Sequence, residues 1–189
     1  MRILIVDDES LIRMDLRDIL ESEQHEVVGE ASNGVEAITM CKELKPDAVL
    51  MDVKMPELDG IEAARQIGFK HLAPVVLLTS YSQQDLVTKA RESGVYGYLI
   101  KPVREEQLIP TLEMACGRFL DDLESRQQMA DLEKTLEERK IIQKATGILM
   151  DLYKIPEDEA YNRIRQLSMK KRESIVNICK LIIQQASSN

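Results

Sequence analysis

Four apolar runs in this chain end in side chains that could do chemistry together. Arg2–Val6 runs into Asp7-Asp8, Ala48–Met51 into Asp52, Val75–Leu78 into Thr79-Ser80, and Tyr98–Ile100 into Lys101-Pro102. Each run reads as a buried strand, and in an open α/β sheet chemistry gathers outside the carboxyl ends of the strands. Three carboxylates collected there repel one another, and a hard divalent cation with oxygen ligands, Mg²⁺, relieves that repulsion. A carboxylate can attack a phosphoryl group and form an acyl phosphate. The cation and the Lys101 ammonium would offset charge on the equatorial oxygens, and the Thr79 hydroxyl would donate to the new phosphate. Asp52 is the candidate nucleophile, because the chain breaks just after it at Met55-Pro56 and Asp59-Gly60, both turn signals. Singly, each residue has an ordinary reading: a helix or turn cap for Asp7, Asp8 or Asp52, a β-branched strand residue for Thr79, a surface lysine for Lys101. Their shared placement at strand ends favours the chemistry. His25 and His71 lie near turns with no motif around them.

The elements that position these residues follow from hydrophobic period. Strands are expected at Arg2–Val6, Glu26–Ala31, Ala48–Asp52, Val75–Leu78 and Tyr98–Ile100. Between them, Leu11, Ile12, Leu16, Ile19 and Leu20 share a helical face, as do Val35, Ala37, Ile38, Cys41 and Leu44 before Pro46. Ile61–Phe69 forms a third helix, and Leu86, Val87, Ala90 and Val95 frame a fourth that Gly94 terminates. Alternating strands and helices at this spacing predict an α/β fold, a doubly wound five-stranded parallel sheet over residues 1–120. From Glu105 a helical pattern runs to about Leu152. Leu108, Leu112, Cys116, Phe119 and Leu123 form its seam, and Met129, Leu132 and Leu136 continue that seam out of register. Residues 121–139 are otherwise charged, which suits a coiled-coil linker. Residues 140–189 then read as a small all-α domain of three helices, beginning with the wide apolar face of Ile141, Ile142, Ala145, Ile148, Leu149 and Leu152. Pro156 would open the second helix, whose face carries Ala160, Tyr161, Ile164 and Leu167. Ile175, Ile178, Cys179, Ile182 and Ile183 line the third.

Composition bounds the function classes. At 189 residues and 44% hydrophobic content, one large domain or one domain with a small appendage is expected. No apolar run approaches a membrane span, and the apolar start is too short for a signal peptide. Cys41, Cys116 and Cys179 are scattered, so neither disulfides nor zinc are expected, and a cytoplasmic protein fits. The net charge of −8 is unevenly spread: Lys140–Asn189 carries nine basic and five acidic residues, leaving 16 basic and 28 acidic before it. A basic tail on an acidic body points to an anionic partner for the tail.

Residues 1–120 resemble a response-regulator receiver domain. The likeness rests on Asp7-Asp8, Asp52 with Met55-Pro56 and Asp59-Gly60, Thr79, Tyr98 and Lys101-Pro102. It implies a flavodoxin-like fold and phosphotransfer from a sensor histidine kinase to Asp52. It also implies Mg²⁺ held by Asp8, Asp52 and the Lys54 carbonyl with Asp7 in support, and a cis peptide before Pro102. Thr79 and Tyr98 would form the switch, and no enzymatic turnover is expected.

The tail's Ala145-Thr146-Gly147-Ile148-Leu149-Met150, Glu159-Ala160-Tyr161, Arg165 and Ser168-Met169 resemble the ANTAR RNA-binding module over roughly residues 127–183. That likeness implies an antiterminator that grips two RNA hairpins in a nascent transcript, and the ethanolamine-utilisation type is the nearest in kind. A lysine is usual where Thr146 stands. Gly147 costs about 1 kcal/mol in a helix interior relative to Ala, which predicts close backbone approach by a neighbouring helix or by RNA. Lys144, Thr146, Gly147, Tyr161, Arg165, Lys170, Lys171 and Arg172 are the candidate RNA contacts, since RNA loops offer bases for stacking and phosphates for cations. Phosphorylation is expected to promote a homodimer along the seam of Leu112, Phe119, Leu123, Leu132 and Leu136. Two other outputs stay open: DNA binding, against which stands the lack of a short Gly-containing turn or a wing, and a protein-interaction output without nucleic acid.

Overall fold

The computed structural model describes residues 1–80 and 94–187. They fall into two compact units, Met1–Glu124 and Ser125–Asn189. The first is built from β1 (Arg2–Val6), α1 (Ser10–Ser22), β2 (Glu26–Ala31), α2 (Gly34–Leu44), β3 (Ala48–Asp52), α3 (Gly60–Phe69), β4 (Val75–Thr79), β5 (Val95–Ile100) and the start of α4 (Glu105–Tyr153). All strand pairs are parallel, in the order β2-β1-β3-β4-β5. This is the flavodoxin-like doubly wound sheet.

The pleat explains why these strands read as unbroken apolar runs. Alternate residues face opposite sides, so Leu4, Val6, Val49, Met51, Val75 and Leu77 enter one core beneath α2 and α3. Ile3, Ile5, Leu50, Val76 and Leu78 enter the other, against Leu16 and Leu20 of α1 and Leu108, Leu112 and Ala115 of α4. With both faces covered, the central strands β1, β3 and β4 are apolar along their length and carry polar residues only at their ends. Register then aligns the strand ends. Val6 lies beside Met51, Asp52 beside Leu78, and Thr79 beside Ile100, so Asp7, Asp52, Thr79 and Lys101 emerge on one edge.

The helices that leave this edge are capped locally. Asn33 accepts from Glu36 N at 2.9 Å, while Glu36 reaches back to Ser32 N at 2.8 Å, a reciprocal cap. Asp59 caps α3 by accepting from Glu62 N at 2.9 Å. The expected fourth helix, with Leu86, Val87 and Ala90, lies outside the described residues. Val95 does not belong to it: it opens β5, which is three residues longer than the sequence predicts. Gly94, at φ +81°, turns the chain against Gly68, and the β-branched and aromatic residues after it then pair with β4.

The second unit comprises the end of α4, α5 (Glu157–Lys171) and α6 (Ile175–Ser187). Ala145, Leu149, Ala160, Ile164, Ile178 and Cys179 form its buried centre, flanked by Ile141, Ile142, Ile175, Ile182 and Ile183. Its inward faces are narrower than the sequence predicts. Leu152 is exposed, as are Tyr161 and Leu167 on α5, because four-residue steps through Ala145–Leu149 and Ala160–Ile164 already fill so small a core. Pro156 caps α5 instead of starting it.

The expected seam along α4 is also corrected. Leu112 and Phe119 are buried in the first unit, Leu112 within the sheet core and Phe119 edge-on to Tyr96 with ring centroids 5.4 Å apart. Neither is available to a second helix. Met129, Leu132 and Leu136 are the exposed apolar residues of the charged stretch, Leu132 at 61%.

Candidate functional site

The strand-end residues meet in one ion-paired cluster. Lys101 Nζ lies 2.6 Å from Asp7 Oδ2 and 2.5 Å from Asp52 Oδ1. Asp52 Oδ2 accepts from Lys54 N at 2.7 Å, so both oxygens of that carboxylate are engaged. Thr79 is fully buried; its hydroxyl donates to Ser80 O at 3.1 Å, and its carbonyl accepts from Lys101 N at 2.8 Å. Lys101 is followed by the cis Lys101-Pro102 peptide. The Asp8 side chain is exposed beside the cluster, as is that of Tyr98 beyond it on β5.

Asp7 is held at every polar atom. Its N donates to Ala31 O at 3.1 Å, Oδ1 accepts from Glu9 N at 3.0 Å, and its carbonyl accepts from Arg13 Nη1 at 2.7 Å. Arg13 is seated in turn by Glu30 at 3.1 Å, which Arg17 also grips at 2.6 Å. The Arg17 guanidinium, with help from Arg13 and against burial, holds Glu30 below the usual carboxylate range. Sequence pattern alone does not single out Arg13 or Glu30. Nothing in the helical period marks Arg13, since its partners are a backbone carbonyl and a residue of β2.

One ammonium between two carboxylates, Asp7 and Asp52, leaves the cluster short of positive charge. Burial pushes the Asp52 carboxyl above its ordinary range; Lys101 pulls against that, and the Asp7 carboxylate adds to it. Lys101 shows the other side of the same balance: burial lowers its affinity for a proton, and Asp52 and Asp7 together outweigh burial and raise it. Among the described residues no three His, Cys, Asp or Glu side chains form a ready-made metal cage. A donor set of two or three carboxylate oxygens and a backbone carbonyl, with water and phosphate completing the shell, fits Mg²⁺, which keeps several waters and is seldom caged by protein alone.

Family models match the chain twice. The response regulator receiver domain covers residues 3–113, and the ANTAR domain covers residues 130–183. This chain is a response regulator with an ANTAR output domain. The regulator is 42% identical over 183 residues to the transcriptional regulatory protein PdtaR of Mycobacterium tuberculosis, covering 97% of this chain and 89% of that protein. Among solved structures, the response regulator domain of Thermotoga maritima CheB superposes with a TM-score of 0.58 at 32% identity, over 62% of this chain and 96% of that one. The receiver domain of a Pseudomonas aeruginosa sensor histidine kinase, solved with a magnesium ion coordinated in its active-site cleft, gives 0.55 at 28% identity, over 61% and 97%.

In the output unit of the regulator, the candidate RNA residues scatter over several surfaces. Lys144 on α4, Tyr161 and Arg165 on α5, and Lys170, Lys171 and Arg172 at the end of α5 are exposed. Tyr161, at 39% exposure, is outside the core and free to stack. Thr146 is 4% exposed, and its hydroxyl donates back to Ile142 O at 2.9 Å, so it presents no polar group outward. Gly147 corrects half of an expectation: a Cβ there would meet nothing within 4 Å, so among the described residues no neighbouring helix requires a glycine, and approach by RNA is the alternative left. Lys170 and Lys171 lie in the last turn of α5 and Arg172 is its C-cap at φ 55°, where cations offset the negative end of the helix dipole.

Proposed function

We propose that a sensor histidine kinase phosphorylates the regulator on Asp52, and that the modified form dimerises, binds paired hairpins in nascent RNA and prevents transcription termination. The observation that carries the first half is the Lys101 ammonium set between Asp7 and the nearly buried Asp52. Asp52 supplies the attacking oxygen, and as its P–O bond forms the P–N bond of the kinase's phosphohistidine breaks and the imidazole leaves with the bonding pair. The phosphoryl oxygens, negatively charged throughout the transfer, meet the Lys101 ammonium, which leaves Asp52 Oδ1 as that oxygen takes the new bond. The Thr79 hydroxyl, now donated to Ser80 O, turns to the phosphoryl group, and exposed Tyr98 follows inward. Asp8, Asp52 and the Lys54 carbonyl would hold Mg²⁺ with Asp7 in support. When bound, it neutralises charge on the transferring group and aligns it with the acceptor.

The output half rests on the ANTAR match and on the exposed cations and Tyr161 of the second unit. A dimer with two such units turns the second hairpin contact into an intramolecular one, a gain of ~10²–10⁴-fold without new contacts. Among the described residues no helix is long and apolar enough to cross a membrane, and a cytoplasmic site of action matches nascent RNA as target. The ethanolamine-utilisation type is one candidate for the inducing system. Labelling with a small phosphodonor and Mg²⁺, followed by gel shifts with hairpin RNA and with duplex DNA, tests both halves. A shift of duplex DNA instead of RNA selects a DNA-binding output, and no shift with either selects a protein-interaction output.

A further inference from the structure

We propose that a lysine-rimmed groove between α4 and α6 seats one nucleotide of a single-stranded RNA segment, with its phosphates on Lys140, Lys144 and Lys180. This rests on the RNA-binding reading of the output unit and assigns it a surface. On α4, Glu137, Lys140, Ile141 and Lys144 fall at three- and four-residue spacing and so share one face. Lys180, Ile183 and Gln184 face them from α6, and the hollow between measures about 370 Å³. That lies at the lower end of the ~300–1,000 Å³ typical of small-ligand sites.

The groove joins two kinds of surface. Its floor is aliphatic, formed by Ile141 and Ile183 where they lean on the unit's core. Its rim holds three ammoniums against a single carboxylate, Glu137, which pairs with Lys140 at 3.3 Å. Among the described residues neither Lys144 nor Lys180 has an ion-pair partner. In a chain of net charge −8, this is a concentrated positive spot, three ammoniums against one carboxylate. A nucleotide matches both parts, offering phosphate to the rim and a ribose or base face to the floor. An acidic peptide would answer the rim and leave the isoleucines wet, and a double helix is too broad for the hollow. The Lys170-Lys171-Arg172 corner already serves α5 as last turn and cap, whereas the groove lysines have no such local role.

The test compares full-length wild type and variants titrated with a pool of hairpin RNAs with randomised loops, across a series of salt concentrations. The combined Lys140→Gln, Lys144→Gln, Lys180→Gln variant should bind roughly tenfold or more weaker, and the slope of log affinity against log salt should flatten by about 0.7–1.4, near 0.7 for each of the one or two phosphates flanking the seated nucleotide that is no longer neutralised. The combined Lys→Arg variant at these positions should keep the wild-type slope. The Lys170→Gln, Lys171→Gln, Arg172→Gln variant should lose less than the groove variant. Should the triple Gln variant melt early, Lys180→Gln alone must still remove about 0.7 from the slope. Unchanged affinity and slope in the groove variants, with normal binding by the wild type, overturns the groove and leaves RNA binding standing. A wild type that binds no RNA removes both. Loss of binding to oligoglutamate with RNA binding intact assigns the groove to an acidic peptide and overturns the proposal.

Discussion

Gly60 packs so closely on Asp52 that a Cβ there would overlap the Asp52 carbonyl oxygen. The first residue of α3 thus rests directly on the end of β3, and Gly60 N donates to Val53 O at 3.0 Å beside it. Gly60→Ala must push helix and strand apart, at a cost of about 1–3 kcal/mol typical of overpacking. Urea melts should show that loss, together with slower phosphodonor labelling. Wild-type stability and labelling together would show that α3 can slide freely.

Asp52→Asn should abolish labelling yet stabilise the fold by about 0.5–2 kcal/mol, as removal of a strained functional group commonly does. Lys101 keeps its other partner, Asp7, so no ammonium is stranded. The gain depends on pH with a definite sign. Burial raises the folded-state pKa of Asp52 above its unfolded value, so its favourable contribution is full below about 3.9, the unfolded value, and is lost as pH rises through the folded pKa. The mutant should therefore be the more stable protein at neutral pH, and the difference should close in acid. A constant difference across that range would contradict the assignment, as would acid-stable label or label on another residue.

Mg²⁺ should raise the denaturation midpoint of the wild type, because a ligand of the folded state stabilises it by about 2.7 kcal/mol at one hundred times its dissociation constant. Asp8→Asn and Asp52→Asn should each blunt that rise. Titration calorimetry offers a second reading, and equal Mg²⁺ effects in all three proteins would move the metal elsewhere.

On the expected α4 seam, Met129, Leu132 and Leu136 are the residues left to pair with a second copy, since Leu112 and Phe119 are buried inside the first unit. Leu132→Asp should then weaken self-association, while phosphorylation of the wild type should strengthen it by ~5–150-fold, the usual span of coupling between sites. Sedimentation at fixed concentration with and without phosphodonor reads both. A wild type that stays monomeric in each state excludes the dimer.

The cysteines give an independent check on burial. The Cys41 thiol is pushed up to about 12 by burial alone, and Cys179 is likewise raised by burial. Burial raises the Cys116 thiol as well, but Cys116 is half-buried where Cys41 and Cys179 are buried, so reagent access decides, and native protein at pH 8 should alkylate first at Cys116, with Cys41 reacting only on unfolding.

The receiver was legible in sequence because its chemistry sits where strands stop. Apolar runs that end in Asp7, Asp52, Thr79 and Lys101 leave few other topologies, and those residues do reach one edge of the sheet. What stayed hidden depends on tertiary neighbours. Arg13 serves Asp7 through a backbone carbonyl, a partner that carries no residue identity. Leu112, Phe119, Met129 and Leu132 read alike on a helical seam, yet only packing against the sheet and Tyr96 separates the buried pair from the exposed one. In the output unit, Leu152, Tyr161 and Leu167 look like core by period, and a three-helix bundle this small has no room for them.

The double engagement of Asp52 bears on background signalling. If Asp52 is the phosphoacceptor, its attacking lone pairs are shared with an ammonium on one oxygen and an amide on the other, which would lower its reactivity at rest. Small phosphate esters and anhydrides abound in cells, and an untethered carboxylate would sample them all. On that reading the ion pair slows such reactions without preventing them. On the proposed reading any donor, a kinase or a small phosphodonor alike, has to displace Lys101 from Asp52 Oδ1 before that oxygen can attack.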